Sequence, residues 1–339
     1  MRQLIKIQYF ILFTLPCILS CNVLSKTYYE NGKIDNIGEI NKQGKKTGFW
    51  KYYRDNGSIL HIGKYENDKK YGEWKSYYDS GELWMIEYYI DYKKTGEYKS
   101  FYQSGKIQEF GSYENGRMIG EWKKYHDNGQ IKYIDKFDES SQRISGEWKQ
   151  FDIKGKIEVE GNYIKNNRHG EWKSYHENGQ LHSLIYFNNG LPQGEWKSYF
   201  SNGRLDEIKN FENGYKTGEW KKYYYSDEPL LIDNKDDSRI QNIENYIKDK
   251  RAGKWKSYHF NGKICQIREY ENDKETGEKK VYFEDGTIQY KGQYEKGKQS
   301  GEWLLYHENG KLRMIQNFND GEITSFKYYD EQGNLTKKE

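Results

Sequence analysis

Polar and apolar side chains alternate through short stretches of this chain, as in Gly72-Glu73-Trp74-Lys75-Ser76-Tyr77. An alternation of period two places successive side chains on opposite faces of an extended strand. The stretch ends at the turn sequence Ser80-Gly81, and a second aromatic-rich stretch from Leu83 to Tyr89 follows it. The pattern therefore predicts two β-strands joined by a tight turn, which is a β-hairpin.

The predicted hairpin recurs along the chain at an almost constant interval. The spacing between equivalent glycines is 24 residues, except for 26 residues after Gly120 and 35 residues after Gly218. A period of this length is typical of repeat proteins, in which each repeat must stack on its neighbours to bury a core. We number each repeat from its glycine as position 0. These glycines are Gly48, Gly72, Gly96, Gly120, Gly146, Gly170, Gly194, Gly218, Gly253, Gly277 and Gly301.

Aromatic residues occupy three fixed positions of the repeat. Position 2 is tryptophan in nine repeats, namely Trp50, Trp74, Trp122, Trp148, Trp172, Trp196, Trp220, Trp255 and Trp303. Position 5 is always aromatic, namely Tyr53, Tyr77, Phe101, Tyr125, Phe151, Tyr175, Tyr199, Tyr223, Tyr258, Tyr282 and Tyr306. Position 17 is Tyr or Phe in ten repeats, as in Tyr65 and Phe187. Fixed placement, rather than aromatic content, indicates that these rings build the structure.

Positions 8 and 9 carry the turn signal, most often as Asn-Gly, as in Asn56-Gly57 and Asn178-Gly179. This pair favours a two-residue hairpin turn because both residues tolerate positive φ. Cross-strand partners would then have positions that sum to 17. This places Trp at position 2, Ile or Leu at position 11 and the aromatic at position 17 on one face. The other face would carry Glu at position 1, Lys at position 3 and the aromatic at position 5, whereas a bulged three-residue loop would change this parity.

The glycine at position 0 lies opposite the aromatic at position 17 in this register. We expect its missing side chain to let the ring lie across the backbone. The fold class that follows is all-β, an elongated, twisted antiparallel sheet of stacked β-hairpin repeats of about 24 residues. The predicted structural positions are Gly72, Trp74, Gly120, Trp122, Gly170, Trp172, Gly194, Trp196, Gly218 and Trp220.

The N-terminal segment is interpreted as an export signal. Arg2 and Lys6 precede a mostly apolar run, and Ile18-Leu19-Ser20-Cys21 resembles a bacterial lipobox. The predicted organisation is a signal peptide at 1–20, a lipidated Cys21 with a short tether at 21–27, the repeat array at 28–335 and a polar tail at 336–339. An insertion at about 227–245 interrupts the array. An ordinary secretory signal without lipidation is the alternative.

The run Asn-Gly-x-x-x-Gly-Glu-Trp, as in Asn115 to Trp122 and Asn213 to Trp220, is similar to the MORN repeat. It resembles more closely the variant MORN repeat of bacterial proteins in the YwqK antitoxin-like family. The resemblance covers roughly residues 28 to 335. It implies an open antiparallel sheet of hairpins that is used for binding, and it supplies no catalytic motif.

No residue pattern typical of an enzyme emerges from the sequence. His126, His176, His259 and His307 all occupy position 6, so we interpret them as tolerated surface residues that lie too far apart to share a metal. Cys265 follows Ile264 in a predicted strand, where a small buried thiol is expected. The Gly-rich phosphate loop and the Gly-x-Ser-x-Gly elbow are missing. We therefore expect no catalytic activity, no metal and no cofactor.

The charge pattern argues against nucleic acid as a partner. Without Arg2 and Lys6, the chain carries 53 basic and 52 acidic side chains of interspersed sign. Lysine recurs at position 3 and offers two interpretations. A row of lysines could bind anionic lipid or glycan, or each Lys could face Glu at position 1 and form a neutral ladder.

The leading functional hypothesis is a lipid-anchored protein of the cell envelope that binds another protein along its sheet, on the periplasmic or surface side. The position 5 aromatics are the candidate binding surface, and the membrane contact is the anchor at Cys21. Two alternatives stay open. One is a glycan or cell-wall binding module, because rows of Tyr and Trp can stack on sugar rings. The other is an antitoxin or immunity protein.

Overall fold

The computed structural model describes residues 22–226 and 239–339. These residues fall into two compact units. The N-terminal unit holds residues 22–157 and 163–166, and the C-terminal unit holds 158–162 and the described residues from 167 to 339. The predicted signal peptide, Cys21 and residues 227–238 of the predicted insertion lie outside the described residues.

Both units consist of β-strands and turns, and the described residues contain no helix. Within each unit, successive strands pair antiparallel as stacked hairpins, so the all-β prediction is confirmed. The first strands are β1 (Val23–Tyr28), β2 (Ile34–Ile40), β3 (Lys46–Tyr53), β4 (Ile59–Glu66), β5 (Lys69–Tyr77), β6 (Leu83–Ile90), β7 (Lys93–Lys94), β8 (Gly96–Phe101), β9 (Ile107–Glu114), β10 (Arg117–Tyr125), β11 (Ile131–Phe137), β12 (Gly146–Phe151) and β13 (Ile157–Ile164). The remaining strands are β14 (Asn167–Tyr175), β15 (Leu181–Asn188), β16 (Leu191–Tyr199), β17 (Leu205–Glu212), β18 (Tyr215–Lys216), β19 (Gly218–Tyr223), β20 (Ile240–Ile247), β21 (Lys250–Arg251), β22 (Gly253–Tyr258), β23 (Ile264–Glu271), β24 (Lys274–Tyr282), β25 (Ile288–Glu295), β26 (Lys298–Tyr306), β27 (Leu312–Asn319), β28 (Glu322–Tyr329) and β29 (Leu335–Lys338).

The cross-strand register agrees with the predicted sum of 17 through positions 0 to 4. In the first full hairpin, Gly48 pairs with Tyr65 and Tyr52 pairs with His61. A one-residue bulge then shifts the register, so that Tyr53 at position 5 pairs with Ile59 at position 11. Because opposed residues share a face, the aliphatic at position 11 lies with the aromatic at position 5. The prediction that position 11 joins the tryptophan face is therefore wrong.

The turn at positions 8 and 9 causes this shift. Gly57 has φ of 93°, whereas Asn56 does not adopt positive φ. The Gly57 N–H donates to the Arg54 carbonyl at 2.9 Å, and the Asn56 side-chain oxygen accepts from the Ser58 N–H at 2.8 Å. This is a turn followed by a glycine bulge, not the predicted two-residue turn. Two residues of positive φ occur instead in the links between repeats, as at Asn67 and Asp68.

The glycine at position 0 has a different role from the predicted one. A Cβ on Gly72 would meet no atom within 4 Å, so no ring lies over it. Its φ is 67°, a conformation that glycine adopts without strain. Tyr71 pairs with Lys64 and Trp74 with Gly63, which leaves Gly72 and Glu73 as a two-residue bulge toward β4. The glycine recurs because the regular repeats bend their strand at this point; φ at Gly120, Gly170, Gly194 and Gly218 is 65°, 71°, 75° and 61°, whereas φ at Gly146 is 146°.

A second glycine, at position 15, determines how deeply each tryptophan is buried. A Cβ on Gly63 would lie under 3.0 Å from the Trp74 indole, which therefore packs flat on the glycine backbone. The five tryptophans above such a glycine have exposed fractions of 2 to 4%, namely Trp50, Trp74, Trp122, Trp172 and Trp303. Where position 15 bears a side chain, Trp220 is 9% exposed, and Trp148, Trp196 and Trp255 are half-buried.

The position 2 tryptophans share one face of the sheet with the position 17 aromatics and with basic side chains. We call it the tryptophan face. The Tyr65 ring stands edge-on between Trp50 and Trp74, with centroid distances of 6.1 and 5.0 Å. The Lys70 Nζ lies 4.2 Å from the Trp74 ring centroid, within cation–π range. Burial lowers the pKa of Lys70. Aromatic packing thus supplies the core of a chain with few aliphatic residues.

The ends of the array extend beyond the predicted boundaries. Strand β1 begins at Val23, inside the predicted tether of residues 21–27, and pairs with β2. Strand β29 occupies most of the predicted polar tail at 336–339 and pairs with β28. Strand β20 begins at Ile240, so the described part of the predicted insertion belongs to the array.

Candidate functional site

The face opposite the tryptophans, which we call the lysine face, carries positions 1, 3, 5, 11, 14 and 16. Lysine at position 3 pairs with glutamate at position 1 of the same repeat, with N–O distances of 2.6 to 3.8 Å. The pairs include Lys75–Glu73, Lys99–Glu97, Lys123–Glu121, Lys149–Glu147, Lys173–Glu171, Lys197–Glu195, Lys221–Glu219 and Lys280–Glu278. The neutral-ladder interpretation of the lysine row is confirmed. A uniformly cationic face is absent from these repeats.

The position 5 aromatics lie on the lysine face as predicted, but they are not its most exposed residues. Ten of the eleven are half-buried, and Tyr223 is buried with an exposed fraction of 6%. Tyr175 donates its hydroxyl hydrogen to Glu160 at 2.6 Å. Burial and this carboxylate raise the pKa of Tyr175 to about 12. A role of these rings in binding stays a prediction.

The His, Tyr and Arg side chains at position 6 tie their repeats to the next one. His126 Nε2 lies 2.9 Å from the Phe151 carbonyl oxygen, and the Tyr78 hydroxyl donates to the Phe101 carbonyl at 2.7 Å. The same contact joins His176 to Tyr199, His259 to Tyr282 and His307 to Tyr329. These histidines are therefore structural rather than merely tolerated. The recurrence of His, Tyr and Arg at one position was the available signal, since all three can donate a hydrogen bond.

Four exposed apolar residues lie close to the links of the C-terminal unit. We call Tyr186, Leu191, Tyr215 and Ile247 the link patch; their exposed fractions are 45, 51, 52 and 65%. Leu191 and Tyr215 occupy the same position of consecutive links, where each pairs with the residue before the turn. A Cβ on Gly214 would lie 3.3 Å from Leu191 Cδ2, so Leu191 reaches the next link. The alternation and the 24-residue period describe the strands, not the links between them, and therefore do not indicate this patch.

We call the place where the second strand of one repeat meets the first strand of the next repeat a junction. The junction between β11 and β12, within the 26-residue interval, differs from the others in the N-terminal unit. Position 15 here is Asp135, which is buried. Its Oδ1 accepts a hydrogen bond from Trp148 Nε1 at 2.8 Å, and its Oδ2 lies 2.8 Å from Arg143 Nη2. The Arg143 guanidinium stacks over the Tyr163 ring at 4.1 Å. A charged pair thus occupies the place that glycine holds in regular junctions.

An open cleft of about 540 Å³ lies at this junction. It is lined by Glu121, Ile134, Lys136, Arg143, Ile144, Ser145, Gly146, Glu147, Trp148, Lys149, Phe151 and Tyr163. The lining combines three aromatic rings with charged side chains of both signs. This volume lies within the range of about 300 to 1,000 Å³ typical of small-molecule sites.

The described part of the chain holds no cluster of three or more His, Cys, Asp or Glu side chains arranged to bind a metal. Cys265 is a half-buried free thiol in β23. Between residues 22 and 339, leaving out 227–238, no helix has the length and apolar character needed to cross a bilayer.

A family model described as the MORN repeat variant matches the chain at residues 22–41, 70–91, 94–115, 118–139, 168–189, 192–213, 251–272, 275–296 and 299–320. These segments together exceed half of the chain. No curated protein matches it.

Among solved structures, this chain is similar to the crystal structure of TcdB2-TccC3, with 10% identity and a TM-score of 0.18 over 94% of this chain. A Tc holotoxin pore of Photorhabdus luminescens gives 10% identity and a TM-score of 0.17 over 93% of this chain. The chain spans only 22% and 23% of the lengths of those two chains.

Proposed function

The chain belongs to the MORN repeat variant family, whose repeats bind proteins or membranes, and from this premise we propose that it is a non-enzymatic, lipid-anchored scaffold of the cell envelope that binds another protein. The lipobox-like sequence before Cys21 supports the anchor and the location. The link patch is the observation that carries protein binding.

The link patch suits a protein partner because it is apolar and exposed, and because two of its members, Leu191 and Tyr215, recur at the same position of consecutive links. Exposed apolar clusters rimmed by polar residues mark interaction sites more often than isolated apolar side chains do. Tyr186 and Tyr215 add the amphipathic rings that are enriched at the centres of protein interfaces. Its neighbours include Asn189, Asn213 and Lys248, which supply a polar rim.

The neutral ladder on the lysine face favours protein over an anionic bilayer as the main partner. Anionic membrane surfaces attract clusters of unpaired Lys and Arg. In the repeats of the C-terminal unit, Lys173, Lys197 and Lys221 each have a glutamate of their own repeat within 2.8 Å. Each of these Lys–Glu pairs is neutral, so a protein partner that contacts them meets no excess of positive charge.

The test places a photo-crosslinking amino acid at residue 215 of the full chain in the source cell. We expect one protein to be captured in the membrane fraction, and the purified partner to bind the full chain. The triple variant Leu191→Ser, Tyr215→Ser, Ile247→Ser should weaken that binding by more than tenfold. Ile153→Ser with Phe260→Ser is the matched control, because these residues are similarly exposed at 55% and 53% but lie in the opposite turns. Equal loss in the two variants, or no captured protein, contradicts the proposal.

A further inference from the structure

The first strand of the array, β1, has one edge that no other described strand covers. Among residues 22–226 and 239–339, β1 pairs only with β2, from Val23–Ile40 to Tyr28–Ile34. The backbone N–H and C=O groups along its other edge can therefore pair with an added strand. The exposed fractions of Val23, Leu24 and Tyr28 are 36, 53 and 43%. An exposed edge strand with apolar side chains marks a place where another strand can add.

The open edge of β1 is regular, whereas the corresponding edge of the regular repeats is bulged. The Tyr28–Ile34 pair matches positions 5 and 11 of a repeat, so Val23 occupies position 0. In β5 the glycine at position 0 has positive φ and belongs to the bulge toward the preceding strand. Val23 does not adopt positive φ. The edge of β1 therefore lacks the bulge by which repeats join, but it suits a straight antiparallel strand.

We propose that β1 pairs with β1 of a second copy of this chain, so that two copies share a continuous antiparallel sheet. A two-fold axis perpendicular to the sheet keeps each face on its own side, so opposed residues come from the same face. In the register centred on Ser25, this residue lies opposite Ser25 of the second copy. Val23 then lies opposite Thr27, and Leu24 lies opposite Lys26, so no like charges are opposed. This interface lies in the N-terminal unit and is independent of the link patch.

The charges beside β1 favour a second copy as the partner. Lys26 occupies position 3, but position 1 of its own repeat is Leu24 and not the glutamate that pairs with Lys75 or Lys173. Leu24 is paired with Glu39 of β2, on the lysine face.

In the dimer, Lys26 of the second copy would lie one strand beyond Leu24. Its backbone would be about 10 Å from that of Glu39, a separation that the two extended side chains can span. Glu39 already accepts a hydrogen bond from Asn22 at 2.9 Å, and a carboxylate can accept several. The two-fold axis provides this complementary pair of charges twice.

The other terminal strand is protected against pairing of this kind. Strand β29 has four residues, and two of them are Lys337 and Lys338. Lysines on a short edge strand disfavour an added strand, because pairing would bring their charges out of water. Strand β1 has six residues and a single charge, at Lys26. We therefore expect a closed dimer through β1 and not a filament, which would need both terminal strands.

Cysteine cross-linking of the full chain in the membranes of the expressing cell tests the register. Ser25→Cys places two thiols at the two-fold axis, where opposed Cα atoms lie about 4.5 to 5.5 Å apart and a disulfide can form. Thr27→Cys is the matched control, because this position is half-buried like Ser25. Its two copies would lie four residues apart along the ladder, at about 14 Å.

Both variants also carry Cys265→Ser, and this parent alone shows any cross-linking through the remaining cysteines. We expect oxidation to convert Ser25→Cys into a disulfide-linked dimer in at least tenfold higher yield than Thr27→Cys. No dimer from Ser25→Cys, or equal yields from the two variants, overturns the proposed pairing.

Charge substitutions at the two terminal strands test the same interface without an added thiol. Leu24→Lys places a lysine opposite Lys26 of the second copy at two symmetric points. Leu335→Lys is the control, because Leu335 of β29 is similarly exposed at 49%. Sedimentation equilibrium of the full chain in detergent measures the dimer dissociation constant. We expect Leu24→Lys to raise it more than tenfold and Leu335→Lys to change it less than twofold; a monomeric parent chain, or equal effects of the two substitutions, contradicts the interface.

Discussion

Two junctions of the N-terminal unit differ in the residue at position 15, in the length of the link and in whether a cleft lies beside the tryptophan. At the Gly63–Trp74 junction the indole packs on bare backbone and is 4% exposed. At the Asp135–Trp148 junction a carboxylate takes the place of glycine, and the indole borders a cleft. The Gly63–Trp74 junction buries its indole and stabilises the sheet, whereas the Asp135–Trp148 junction has side chains of a different chemistry.

The sheet tolerates a carboxylate at position 15 because the side chains around Asp135 satisfy it. Asp135 is buried, but its carboxylate accepts from both Arg143 and Trp148. Burial of a carboxylate is costly unless it is paired and hydrogen-bonded. Asp135 and Arg143 are therefore linked: neither side chain suits this junction without the other.

The largest expected effect comes from adding a methyl group at the sealed junction. In Gly63→Ala the new Cβ would overlap the Trp74 indole, so the ring must leave its position against the backbone. Overpacking of this kind costs about 3 kcal/mol of unfolding free energy. Urea unfolding followed by tryptophan fluorescence measures the change.

The matched control for that substitution is Gln316→Ala, at position 15 of a later repeat. A side chain is already present there, opposite Phe326, so alanine creates no overlap. We expect a loss of less than about 1 kcal/mol, as for most substitutions that create no clash or cavity. Similar losses in the two variants would show that the glycine does not govern indole burial.

Much of the fold could be predicted from the sequence because the same residue pattern recurs in eleven repeats, which identifies strands that one short segment could not. The strands, the register from positions 0 to 4 and the pairing of Lys173 with Glu171 all follow from alternation and period. The bulge at position 12 could not be predicted, because Asn-Gly suits both a two-residue turn and a glycine bulge. The choice depends on Asn56 bonding to Ser58 rather than adopting positive φ.

The candidate sites were less predictable than the fold. The sequence shows Gly63, but its role is to accommodate the Trp74 indole of the following repeat. That contact is visible only once β4 is known to pair with β5. The 26-residue interval was visible, yet its consequence requires that Asp135, Arg143 and Trp148 meet in space. These contacts join different strands, so no local pattern encodes them.

A smaller effect is expected from removing the carboxylate at the open junction. Asp135→Ala removes the ion-pair partner of Arg143 and the carboxylate that accepts from Trp148 Nε1. Removing one member of a buried pair costs about 3 to 5 kcal/mol. Because the Arg143 side chain retains 22% exposure, solvent screens part of this loss, and we expect about 2 kcal/mol in urea unfolding.

Two comparisons sharpen that prediction. Glu139→Ala, an exposed acidic residue in the adjacent turn, should leave stability unchanged. Arg143→Leu combined with Asp135→Ala should recover part of the loss, because the uncompensated charge is gone. Strict additivity of the two substitutions would mean that the pair does not hold this junction together.

The smallest expected effect concerns Glu121, which joins the lysine ladder to the rim of the cleft. Hydrogen bonds from Lys136 and Lys123 lower the pKa of Glu121, at N–O distances of 3.1 and 3.3 Å. A lowered folded-state pKa contributes stability above the ordinary carboxyl pKa of about 4.3, and this contribution is lost as the pH falls through the folded value. Glu121→Gln should therefore be slightly less stable than the parent chain at pH 7 and equally stable near pH 3. High salt should reduce the difference at pH 7, because Glu121 and Lys136 are solvent-exposed. A difference in urea midpoint that persists at pH 3 would show that Glu121 acts through packing at the cleft rim and not through its ion pairs. Glu121 would then differ in its role from the other glutamates of the lysine face, which pair with lysine.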